Sequence, residues 1–101
     1  MLRLIDSDER PPRPAYRVPW FVDRTTAGRV DLVNMSQDTL RFVSTQFFDA
    51  THVEPARARG DVPPSGALRL HLPSDMTPES CRTTVHWHPP DDQEYAWTFV
   101  W

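Results

Sequence analysis

Lysine is absent from this chain: all eleven basic residues are arginines, set against fourteen acidic residues for a formal charge of -3. An all-arginine complement fits the codon usage of a GC-rich genome. The negative balance removes the usual case for DNA or RNA, whose binding needs concentrated positive charge to displace counterions. Glycine occurs three times, at positions 28, 60 and 66, so no glycine-rich phosphate loop can be assembled. No serine stands in a Gly-x-Ser-x-Gly elbow. One cysteine, Cys81, cannot close an internal disulfide, which agrees with a reducing compartment. No window approaches the roughly 20 apolar residues of a membrane span, or the roughly 7 to 15 of a signal-peptide core. Membrane and export readings fall away, and the expected location is cytoplasmic.

What the chain does have is proline and aromatic surface. Eleven prolines in 101 residues argue against long helices, because proline removes a backbone donor and clashes with the preceding turn. The length suits one core. Residues 1 to 17 carry Pro11, Pro12 and Pro14 and read as an extended proline-rich arm leading to a single domain over residues 18 to 101.

Within that domain, Val18 to Val22 reads as a first strand, ended by the polar turn Asp23 to Gly28. Arg29 to Asn34 alternates Val30 and Leu32 with Arg29 and Asp31, the period of a half-buried strand. Leu40 to Phe48 is the longest candidate, and its two partly apolar faces call for a bulge near Ser44. Asp49 to Ser65 is expected as a long irregular loop. Leu68 to Leu72 alternates again, and Thr77, Pro78 and Glu79 suit one short helical turn. Thr83, Val85 and Trp87 alternate with Thr84, His86 and His88 before the turn at Pro89 to Asp92, and Tyr95 to Trp101 completes a hairpin. Tyr95, Trp97, Phe99 and Trp101 share one face, which Val85 and Trp87 can join as core.

About seven strands with turn signals every 8 to 12 residues or so predict an all-β, antiparallel two-sheet β-sandwich. The run from Val30 through Leu40 to Phe48, then Val62, Pro63, Pro64, Ser65 and Gly66 leading to Leu68 and Leu70, resembles the immunoglobulin-like sandwich of bacterial accessory domains and fibronectin type III relatives. The resemblance is one of fold. It implies no functional residue, since the Cys, Trp, Cys framework and tyrosine corner of true immunoglobulin domains are missing.

Candidate chemistry is sparse. His86 and His88 point to one strand face and, with Glu94 following, could chelate a transition metal. Set against solvent-facing histidines on an exposed sheet, the metal reading is the weaker, and no cofactor is expected. Cys81 has no histidine beside it in sequence to activate its thiol. Asp91 and Asp92 are explained by turn chemistry, and Arg59-Gly60-Asp61, an integrin-type tripeptide, by chance. The expectation is therefore a non-catalytic, intracellular protein-interaction module. It would work through an edge strand, paired with a protein partner or with a second copy of itself, or through the long loop from Asp49 to Ser65, with Arg57, Arg59, His86, His88 and Trp101 as the first residues to test. The alternatives are a carbohydrate or small-ligand module using exposed tryptophans, and a His-x-His metal protein.

Overall fold

The computed structural model of the chain describes the backbone of residues 2–4 and all of residues 17–101; the proline-rich arm lies, but for Arg17 and the first strand, outside the described residues. Eight antiparallel strands form two sheets: β1 (Leu2–Leu4), β2 (Trp20–Thr26), β3 (Arg29–Asn34), β4 (Leu40–Phe48), β5 (Arg57–Val62), β6 (Ala67–His71), β7 (Arg82–His88) and β8 (Tyr95–Val100). One sheet has the order β1-β8-β7-β4-β5 and the other β2-β3-β6. The seven strands β2 to β8 make a two-sheet β-sandwich, and no helix long and apolar enough to cross a membrane occurs among the described residues.

Alternation decides which side chains meet between the sheets. Val30, Leu32 and Asn34 of β3 face Thr83, Val85 and Trp87 of β7, every one buried, while their neighbours along each strand are half-exposed. Trp87 has no exposed surface and meets Trp20 edge-on, with ring centroids 6.1 Å apart, and Tyr95 at 6.0 Å. Such pairs add about 0.5–1.5 kcal/mol each beyond the area they bury. The aromatic ladder of β8 faces this core: Tyr95 and Phe99 are buried, and Trp97 and Trp101 pack against the cluster from its margin.

Two features depart from the sequence reading. The segment Asp49 to Ser65 is a loop only as far as Ala56; Arg57–Val62 is β5, paired with β4. It escapes the periodicity test because it is an edge strand whose one fully buried side chain is Val62. The strand expected at Val18 to Val22 is β2, which begins at Trp20 and runs to Thr26, since pairing with β3 carries the polar residues Asp23 to Thr26 along a solvated margin. Gly28, at φ 72, then turns the chain into β3.

The expected bulge in β4 lies at Arg41 to Ser44, where the register with both neighbours shifts. At Thr77 to Cys81, in place of the expected helical turn, the chain makes a single hydrogen-bonded turn without helix, closed by the Cys81 N–H donating to the Thr77 carbonyl at 2.9 Å. A pairing the sequence does not indicate covers the free side of β8, where β1 runs along Tyr95 to Trp97.

Candidate functional site

The sequence-selected residues fall in three places. Arg57 and Arg59 lie on β5, an edge strand of the larger sheet whose outer side has no pairing partner among the described residues. Arg57 stands opposite Thr45 in register, and Arg59 folds its stem inward so that Nε donates to the buried Thr45 hydroxyl at 2.9 Å. Between them and the end of the strand, Gly60 at φ 87 accommodates an extra residue relative to β4. Neither arginine has a carboxylate within ion-pair distance among the described residues. Burial, and then the neighbouring Arg57 charge, hold the Arg59 guanidinium below its ordinary pKa.

His86 and His88 project from β7 onto the outer face of the larger sheet, as alternation requires. They do not converge. His86 Nδ1 lies 3.1 Å from Glu94 Oε2, whereas the His88 ring meets Phe42 edge-on at 5.6 Å. The same face carries Thr84 and Thr98, whose hydroxyls are 2.8 Å apart, and the exposed pair Arg41 and Asp92 at 3.2 Å.

Trp101 is docked on the sandwich. Its Nε1–H donates to Thr83 Oγ1 at 2.7 Å, its backbone N–H reaches the Cys81 carbonyl at 3.4 Å, and its ring lies 5.9 Å from that of Phe47. Trp20 and Trp87 are buried, and Trp97 and Trp101 are half-buried. Cys81 is fully buried beneath this end, where desolvation pushes its thiol pKa up and the Thr83 hydroxyl only partly opposes the shift. An acidic hairpin tip after β7 is occupied by its own turn: Asp91 accepts from the Gln93 N–H at 2.9 Å and from the Tyr95 hydroxyl at 2.9 Å.

Two groupings have no counterpart in the sequence reading. Phe42, at the β4 bulge, is 67% exposed and adopts φ 52, a conformation that bulky residues avoid. Asp61 of β5 holds it there by accepting the Phe42 N–H at 3.1 Å. The second is a trio at one end of the sandwich, where His52 and Glu54 of the β4–β5 connection meet Asp75 of the β6–β7 connection, with ligand-type atoms within 4.8 Å of one another. Only the His52, Val53, Glu54 spacing was visible in the sequence; Asp75 is remote, and the fold alone brings it there. A scan against protein-family models, a search of curated proteins and a search of solved structures each returned no match to this chain.

Proposed function

We propose that the chain is an immunoglobulin-like sandwich acting as a non-catalytic protein-interaction module, which receives an extended acidic segment of a protein partner along the outer edge of β5. Support for the fold comes from connectivity. Taking β2 to β8 as strands A to G, sheet order β2-β3-β6 sets A, B and E against the C, F, G set of β4, β7 and β8, as in that fold. The fourth strand, β5, lies beside C instead of beside E, which puts its outer side on the margin of the larger sheet.

The observation that carries the functional reading is the charge on that margin. Arg57 and Arg59 stand near each other without an acidic partner among the described residues, and the opposite margin of the sheet is the three-residue strand β1. An incoming strand satisfies unpaired backbone groups of β5, while its carboxylates supply the charge the two guanidinium groups lack. Gly60 and the associated irregularity limit regular pairing to a short stretch, so side-chain charge decides specificity.

The test is fluorescence anisotropy with labelled peptides alternating Glu and Val, compared with peptides alternating Arg and Val. Acidic peptides should bind more tightly, by on the order of tenfold or more, and lose that preference in 0.5 M salt, on the order of a 4 Å screening length. The double variant Arg57→Glu, Arg59→Glu should reverse the preference. Equal binding of both peptides by the unmodified chain, or an unchanged preference in the double variant, would sink the proposal.

A further inference from the structure

The trio His52, Glu54 and Asp75 is distinct from the β5 margin and from the histidines of β7, and its chemistry is that of a metal site. His52 Nε2 lies 3.4 Å from Glu54 Oε2 and 3.7 Å from Asp75 Oδ2. Around a tetrahedral zinc with bonds of about 2.0–2.2 Å, neighbouring ligand atoms are about 3.3 Å apart. Two of the three edges are therefore close to coordination spacing, and closing the third needs only a rotamer adjustment of exposed side chains.

Electrostatics point the same way. Two carboxylates converge on one imidazole, which carries a charge only when protonated, and neither acid has another cationic partner among the described residues. Asp49, whose Oδ1 accepts the His52 N–H at 2.8 Å, adds a third carboxylate beside the cluster. A divalent cation supplies what the cluster lacks. The donor set of one nitrogen and two oxygens, without thiolate, suits a first-row divalent ion; calcium prefers six to eight oxygens or so.

The ligands come from separately anchored pieces of backbone. His52 donates its N–H to Asp49 Oδ1 at 2.8 Å, and Glu54 donates its N–H to the Phe47 carbonyl at 2.9 Å while its own carbonyl accepts from Gln46 Nε2 at 3.0 Å. Asp75 precedes the buried Met76, which seats the β6–β7 connection in the core and closes a turn onto the Pro73 carbonyl at 3.1 Å.

We propose that His52, Glu54 and Asp75 form a binding site for a divalent transition ion of the zinc class. The bound ion ties the β4–β5 connection to the β6–β7 connection. Side chains of His52 and Asp75 are 48% and 58% exposed, so the outward coordination position stays open to water or to a ligand atom from another molecule. Such openness places the affinity below that of closed, four-ligand structural sites.

Zinc titrated calorimetrically into chelator-treated protein lacking a histidine tag tests this, with cobalt absorption reporting the ligand field. One ion per chain should bind. His52→Ala and Asp75→Asn should each weaken binding by roughly tenfold or more, while His71→Ala, at an exposed site on β6, should leave it intact. Thermal unfolding of each variant without metal establishes that it folds, and zinc should raise the melting temperature of the unmodified chain but not of Asp75→Asn. Absence of stoichiometric binding to the unmodified chain overturns the proposal, as does undiminished binding in folded His52→Ala or Asp75→Asn.

Discussion

At the scale of single residues, the most costly conformation belongs to Phe42. A left-handed backbone there brings Cβ against the following carbonyl, at about 1–2 kcal/mol for an L-residue. Its ring repays little of that, being exposed apart from its edge contact with His88 and the Arg41 guanidinium 5.8 Å over it. Asn tolerates this region, whereas a β-branched residue suffers more than Phe. Phe42→Asn should therefore stabilise the fold by about 0.5–1 kcal/mol and Phe42→Val should destabilise it by about 1–2 kcal/mol. Urea denaturation midpoints at constant slope are the measurement, and the same sign for both variants would refute the strain argument. The conformation is enforced by Asp61, from a strand that the sequence does not reveal, so nothing local to Phe42 could have announced it.

Among the elements, two of the crossings between sheets, β3–β4 and β5–β6, share one fastening. Asn34, buried at the end of β3, donates from Nδ2 to the Asp38 carbonyl at 2.8 Å and to the Val62 carbonyl at 3.0 Å, and its Oδ1 accepts from the Ser36 N–H and hydroxyl. Its backbone pairs with Gly66 and Ser65 as well. One side chain thus holds both the β3–β4 and the β5–β6 connections. Asn34→Ala leaves several of these groups buried without partners, and should cost about 2–4 kcal/mol in chemical denaturation; a loss below about 1 kcal/mol would show that the crossings hold without it. Legibility also varies element by element. Strands β3 and β7 were readable because one face of each is buried and the alternation is clean, and β8 because an aromatic recurs at every second residue. Strand β5 was not, because an edge strand with Arg57, Arg59 and Asp61 needs little apolar patterning to stay in place. Of the candidate sites, Arg57 and Arg59 were picked out by their charge. Their placement on a strand margin, and the approach of Asp75 to His52, depend on pairings remote in sequence.

For the molecule as a whole, Cys81 reports on the integrity of the sandwich. Burial raises its thiol pKa in the folded state, so its contribution to stability is complete below the unfolded thiol pKa and is lost as pH rises through the folded one. A thiol-reactive disulfide reagent at pH 8 should label it at the rate of global opening and accelerate in urea in step with unfolding; labelling of the native protein at the rate of a free thiol would contradict the burial. The two margins of the larger sheet differ just as sharply. Strand β1 already occupies the side of β8, leaving β5 as the opposite margin. Head-to-tail addition through this sheet would have to set the next molecule's β5 against β1, which offers only the three residues Leu2–Leu4. A two-fold pairing of β5 with β5 uses six residues on each side and closes on itself, so self-association through the larger sheet favours a dimer over a fibre.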